Sequence, residues 1–169
     1  RTDTNVVEAM NGALAALDEQ TRRAIRALQI GTSRPLGFEQ VVTAALKNHP
    51  LDPSVEKTFA SDLRDRVLSS DAAELVRSAV REGVTNAIKH AAPTRIEVRV
   101  EPAMAGAKVV VENDGNGLPL DVDDRGGFGV RGLRELAREV GAEVSLTGGD
   151  VTRLEVELFR SAFVEQRAE

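Results

Sequence analysis

The chain has 169 residues, the length of one ordinary domain with room for an appendage, and 41% of them are hydrophobic, enough to build a core. Its 22 basic and 27 acidic side chains leave a net charge of −5, which argues against nucleic acid as a partner. With no Cys, two His, five Phe and neither Trp nor Tyr, the composition excludes thiolate zinc sites, thiol nucleophiles, multi-His metal centres and aromatic stacking platforms.

Residues 3–28 are predicted as one long helix. Val7, Met10, Leu14, Leu17, Thr21, Ala24 and Leu28 fall on successive a and d positions of a seven-residue repeat. A 3.5-residue period directs such a seam towards another helix, in a bundle or a dimer; a surface helix packed on its own domain is the competing reading. Ala9 to Leu17 is the longest charge-free run. It is far short of the ~18 residues a bilayer span needs, so a soluble domain without direct membrane contact is expected. Gly31-Thr-Ser-Arg-Pro35 breaks the pattern and marks the best domain boundary. After it, Phe38 to Leu46 reads as a short apolar helix, Asn48 to Pro53 as a loop, Val55 to Ala60 as a short strand, and Leu63 to Ser70 as a polar connector.

The strongest element follows. Asp71-Ala-Ala-Glu74 fits a capping box, and the helix is predicted to run to about Ala91. At ~100° per residue, Val76, Val80, Gly83, Ala87 and Ala91 share the side that should lie on a sheet. The period then changes to two. Arg95 to Glu101 and Ala107 to Glu112 are predicted strands around a turn at Pro102 to Gly106. A Gly-rich loop, Asn113 to Gly129, leads into a helix from about Val130 to Val140. Strands Ala142–Thr147 and Thr152–Phe159 flank Gly148-Gly149-Asp150, and residues 161–169 read as a frayed tail. Adjacent strands imply hairpins, and the helices can cover only one face. The fold class is therefore α+β, a two-layer sandwich with a mostly antiparallel sheet, preceded by the heptad helix.

Three groups of residues can carry chemistry. Glu82, Asn86 and Lys89 fall within an arc of roughly 60°, opposite the sheet-facing stripe. A carboxylate, an amide oxygen and an ammonium so spaced can hold magnesium and phosphate; the same pattern also suits a plain solvated helix face. Asn113-Asp-Gly-Asn-Gly117 follows a strand, where Gly115 and Gly117 permit tight turning and close approach to a flat ligand, or simply make a hairpin turn. Gly126-Gly-Phe-Gly-Val-Arg-Gly132 stands at a helix start, where free N–H groups and the helix dipole suit phosphate. It is neither a dinucleotide fingerprint, lacking the βαβ context, nor a P-loop, lacking Gly-Lys-Ser/Thr.

The order of these parts resembles the GHKL ATPase superfamily, and more closely the catalytic ATP-binding domain of sensor histidine kinases of the nitrate/nitrite-sensor type. Arg81-Glu-Gly-Val-Thr-Asn-Ala-Ile-Lys-His-Ala91 looks like that family's N box, Val111 to Gly117 resembles its first glycine box, and Gly127 to Ala137 with Val140-Gly141 is similar to the second. The resemblance covers roughly residues 36–160 and implies a Bergerat-type ATP-binding fold. It further implies Asn86 as magnesium ligand, Lys89 and His90 as phosphate contacts, and Glu82 as the catalytic residue. Asn113, Gly115 and Gly117 would receive adenine, with Leu118 to Phe128 as the lid. Gly127, Gly129, Val130, Arg131 and Gly132 would close on the phosphates, and Thr152 takes the place of the family's Thr before the last strand.

The implied reaction moves the γ-phosphoryl group of Mg-ATP to a His on a dimeric helical hairpin, then to the Asp of a response regulator, in the cytoplasm. Many members begin the first glycine box with Asp. Asn113 stands there instead, so its oxygen can still accept from the adenine amino group without charge assistance, a loss of about 1 kcal/mol. Binding of ATP with reduced affinity is expected. His49, in a loop, and His90, in the N box, are both off the heptad helix. The acceptor His is thus expected outside this chain. Residues 1–30 would be the remnant of the helical hairpin through which the full-length protein forms a homodimer, 36–160 the catalytic domain and 161–169 a tail. The start at Arg1 fits a fragment. An anti-sigma-factor-type serine kinase and a non-catalytic ATP-binding or dimerisation module are the alternatives on the same fold.

Overall fold

In a computed structural model the chain divides into two units, Arg1–Arg34 and Pro35–Glu169. The structure describes residues 36–47, 55–118 and 128–164. The heptad helix of 3–28, the Asn48–Pro53 loop and the end of the tail lie outside the described residues.

The second unit opens with a two-residue strand β1 (Leu36–Gly37) and helix α1 (Phe38–Leu46). Phe38, Val41, Val42, Ala45 and Leu46 recur at helical spacing, and all are buried. Strand β2 (Val55–Phe59) follows, then a short 3₁₀ turn and strand β3 (Val67–Leu68). The segment read as a polar connector is thus structured, because Leu63 and Leu68 are buried and β3 pairs with β1.

Helix α2 (Ser70–Asn86) is capped two residues earlier than predicted. Ser69, in extended conformation, is the N-cap, and its Oγ accepts from the N–H of Ala72 at 3.2 Å. Glu74 does not complete a capping box; its carboxylate pairs instead with Arg77 and Ser78 on the next turn. At its far end α2 widens into a π-helical turn, Ala87–Ala91, closed by Ala92 in the left-handed region at φ 45°. Val76, Val80, Ala87 and Ala91 are buried, and Gly83 lies against Val111 of the sheet, as the stripe predicts.

Strands β4 (Ile96–Ala103) and β5 (Gly106–Asn113) form a hairpin tighter than predicted, with Pro102 and Ala107 paired inside it. Pro102 fits there because β2 accompanies β4 only as far as Val100, leaving that side of β4 without a ladder to break. Helix α3 (Phe128–Val140) starts two residues before the predicted Val130, and β6 (Ala142–Thr147) and β7 (Thr152–Phe159) match expectation. The five-stranded sheet runs β2-β4-β5-β7-β6. Three neighbouring pairs are antiparallel. The β2–β4 pair is parallel because α2 carries the chain back across the layer between them.

Alternation decides the two faces. Ile96, Val98, Val100, Val109, Val111, Leu154, Val156 and Leu158 point into one core with the helices. The opposite face carries an ion-pair mesh across four strands: Arg95–Glu56 at 2.7 Å, Arg99–Glu97 at 3.1 Å, Arg153–Glu112 at 2.6 Å and Lys108–Glu155 at 3.2 Å. Val110 is buried on that face, with Arg99 and Glu155 as its neighbours in register. The start of the tail is not frayed. The N–H of Val164 donates to the carbonyl of Val67 at 2.9 Å, and the Phe163 ring meets Phe38 edge-on with the Arg66 guanidinium 5.1 Å from its centre.

Candidate functional site

The N-box side of α2 supplies the first half of the site. Glu82 and Asn86 stand one helical turn apart and half-buried, and Nδ2 of Asn86 donates to Oε1 of Glu82 at 2.9 Å. With its nitrogen so engaged, the amide offers a ligand its oxygen, a hard donor of the kind magnesium takes. The first turn of α3 lies directly over this pair. A methyl group on Gly129 would overlap the Glu82 carboxylate as it stands, so a larger residue there would turn that carboxylate away from its present place. Glu82, Asn86 and the N-terminus of α3 are therefore brought together from distant parts of the sequence.

One turn further along, Lys89 and His90 are exposed on the π-helical segment. Such turns are rare and concentrate at functional sites. The first glycine box is stitched to the end of this segment. The N–H of Asn116 donates to the carbonyl of Ala91 at 2.7 Å, and Gly115, at φ +98°, passes so near that carbonyl that a side chain would collide with it. The close approach that Gly115 permits is thus first of all to the protein's own backbone. Gly117 behaves likewise: a methyl group there would strike the carbonyl of Gly149.

Asn113 ends β5 on the core face and is the one buried polar or charged residue among those described, 6% exposed. Its register partner on β7 is Thr152. The Thr152 hydroxyl accepts from the N–H of Leu118 at 3.3 Å, and the carbonyl of Leu118 accepts from Gly149 at 3.0 Å, so the first residue of the predicted lid is anchored on the sheet. Nδ2 of Asn113 donates to the carbonyl of Asp114 at 2.7 Å, leaving Oδ1 as the acceptor for a ligand. Asp114 points the other way, because consecutive residues at a strand end alternate. Its carboxylate accepts from the Thr94 hydroxyl at 2.5 Å and from the N–H groups of Thr94 and Arg95, each at 2.8 Å. The hydrogen bond from the Thr94 side chain, then that from the Arg95 backbone, hold the Asp114 carboxyl below its ordinary range.

Of the second glycine box, Gly127 and residues 119–126 of the lid lie outside the described residues. Val130 is buried in the core, 2% exposed, so only its backbone can meet a ligand. Arg131 and Gly132 are exposed, and a methyl group on Gly132 would meet nothing within 4 Å.

An amide oxygen, exposed cations and a helix N-terminus at one end, joined through a backbone stitch to a buried acceptor amide at the other, have the chemistry of a nucleotide site. The profile described as histidine kinase-, DNA gyrase B-, and HSP90-like ATPase matches residues 71–161, which hold every one of these groups. The chain belongs to this ATPase family. Its domain has the α+β ATP-binding fold of that family, and ATP is its nucleotide. Among curated proteins it is 27% identical over 143 residues to the sensor protein NarQ homolog of Haemophilus influenzae, across 84% of this chain and 24% of that protein. It is 39% identical over 77 residues to blue-light-activated histidine kinase 2 of Erythrobacter litoralis, across 41% of this chain and 22% of that protein. The chain thus spans less than a quarter of the length of these relatives. Of solved structures, the Erythrobacter litoralis EL346 blue-light activated histidine kinase superposes with a TM-score of 0.58 at 26% identity, over 80% of this chain and 44% of that one. The Acinetobacter baumannii histidine kinase AdeS shares the fold, with a TM-score of 0.65 at 14% identity over 85% of this chain and 76% of that one. Among the described residues no helix is long and apolar enough to cross a membrane.

The grip of Asp114 on Thr94 and Arg95 is the part of the site that sequence reasoning missed. The signal was available: a hairpin pairing Ile96 with Asn113 necessarily puts Arg95 beside Asp114.

Proposed function

We propose that this ATPase domain is the catalytic domain of a two-component sensor histidine kinase of the nitrate/nitrite-sensor type, delivering the γ-phosphoryl group of Mg-ATP to a histidine outside this chain. The observation that carries the reading is the Glu82–Asn86 hydrogen bond directly beneath Gly129, which joins a metal-type oxygen, a carboxylate and a helix N-terminus at one point. The sensor-kinase relatives support it.

In this reading Oδ1 of Asn86 ligates magnesium, which when bound neutralises phosphate charge and templates the phosphate oxygens. Glu82 holds the Asn86 amide in its oxygen-outward orientation and presents its carboxylate beside the reacting phosphate. Lys89 and His90 contact phosphate oxygens, and the backbone N–H groups from Gly127 through Arg131, that of Val130 among them, close on them, with Gly132 leaving room for close approach to the helix. At the other end Oδ1 of Asn113 accepts from the adenine amino group, with Gly115, Gly117 and Thr152 shaping the slot around the ring. The phosphoryl group passes from the acceptor His to the Asp of a response regulator, in the cytoplasm, and residues 3–28 supply the homodimer seam.

Phosphotransfer in trans tests this. The chain, radiolabelled ATP, magnesium and a kinase hairpin carrying its own His should yield acid-labile phosphohistidine. Asn86→Ala should abolish the label and magnesium-dependent ATP affinity, with little change in melting temperature. Equal ATP affinity for parent and variant overturns the role of Asn86, and acid-stable phosphoserine on a partner replaces the histidine-kinase reading with a serine kinase.

A further inference from the structure

Adenine and guanine differ at ring position 6, where one offers an amino donor and the other a carbonyl acceptor. A carboxylate can only accept, so it selects adenine by itself. An amide can do either, by rotating about its last torsion. Asn113 therefore leaves base selection open unless something fixes which end of its amide faces the ligand.

Asp114 is placed to do that. Its carbonyl receives Nδ2 of Asn113 at 2.7 Å, which turns Oδ1 towards the slot. Its N–H donates to the carbonyl of Arg95 at 3.2 Å, and its carboxylate takes both N–H groups of Thr94 and Arg95 and the Thr94 hydroxyl. The residue whose carbonyl orients Asn113 is thus bolted to the start of β4 through its side chain and its own N–H together. The next two residues complete the fixture, since Gly115 passes tightly by Ala91 and Asn116 donates to its carbonyl.

We propose that Asp114 is the positioning residue for base selectivity: by clamping its side chain and N–H to Thr94 and Arg95 it fixes the carbonyl that locks the Asn113 amide oxygen-outward, so that the site takes adenine nucleotides and rejects guanine nucleotides although no carboxylate meets the base. This rests on the reading of Asn113 as the acceptor for the purine amino group. Asp114 touches no nucleotide atom; it acts through Asn113.

Calorimetric titration of the parent, Asp114→Ala, Asp114→Asn and Thr94→Ala with Mg-ATP and Mg-GTP decides it, with thermal melts alongside. The parent should prefer ATP. Asp114→Ala should narrow the ATP-over-GTP preference by about five-fold or more, the scale of one hydrogen bond. Asp114→Asn, which keeps one carbonyl acceptor, should fall between, and Thr94→Ala, which removes only the hydroxyl bond, should narrow it less. A merely structural role for Asp114 would lower the melting temperature and weaken both nucleotides by the same factor; an unchanged ratio in all three variants overturns the proposal while leaving the nucleotide site intact. A parent that binds neither nucleotide, or binds both equally, overturns the reading of Asn113 instead. Should Asp114→Ala fail to fold, the other two variants carry the same comparison.

Discussion

Gly132 occupies an exposed position inside α3, with open space over its α-carbon and a backbone outside the left-handed region. Glycine in a helix interior is less stable than alanine by roughly 0.5–1 kcal/mol, so the fold gains nothing from it there. A ligand that approaches the backbone does gain. Gly132→Ala should therefore raise the melting temperature and weaken ATP binding at once. A variant that melts higher but titrates with ATP as the parent does would remove Gly132 from the site. Gly115 and Gly117 are the opposite case, since the left-handed φ of Gly115 and the carbonyls of Ala91 and Gly149 demand them before any ligand arrives. In the sequence these glycines read alike; their surroundings separate them.

At the scale of the element, α2 does two jobs with two sides. Its buried stripe fixes it to the sheet, and the far side presents Glu82 and Asn86. The tightest point of that packing is Gly83, where an added methyl group would stand 2.8 Å from Cγ1 and 2.9 Å from Cβ of Val111. Gly83→Ala should push the helix off the sheet and destabilise the domain by about 1–3 kcal/mol, read from urea unfolding. Unchanged stability would mean that α2 can shift at little cost. The stripe was legible because helical period is a local property. The cap was not: Ser69 and Asp71 are both good N-cap residues, and the pairing of β3 with β1 decides where the chain enters the helix. The π turn was equally hidden, since Ala87–Ala91 has no residue that forbids an ordinary helix.

For the whole domain, the open face of the sheet sets the response to acid. Partial burial alone would raise the Glu112 carboxyl, but the hydrogen bond and charge of Arg153, with those of Arg99, outweigh it and hold the group below its ordinary value. Asp114 is lowered by its bonds from Thr94 and Arg95. A carboxylate with a depressed folded pKa contributes stability above its unfolded value and loses it as the pH falls through the folded one. The domain should accordingly hold its melting temperature through neutral pH and lose it below the ordinary carboxylate range. Glu112→Gln should shallow that acid limb and lower the neutral plateau. Melting curves of parent and variant with the same pH slope would show that the mesh is held by packing over Val110 and not by charge.

By itself the sequence determined what local physics can encode: the period of each strand and helix, the one-sided burial that makes a two-layer sandwich, and the three motif segments that place the chain among ATPases of this kind. It also set Asp114 to point away from Asn113, because consecutive residues at a strand end alternate; that Asn113 itself belongs to β5 and is buried came from the structure. The tertiary structure alone decided which neighbours those residues meet. The parallel pairing of β2, the seat of Gly129 on Glu82, the stitch from Asn116 to Ala91 and the clamp of Asp114 on Thr94 all join segments far apart in the chain. Such contacts follow from how whole elements pack and register, and no local pattern of side chains carries that information.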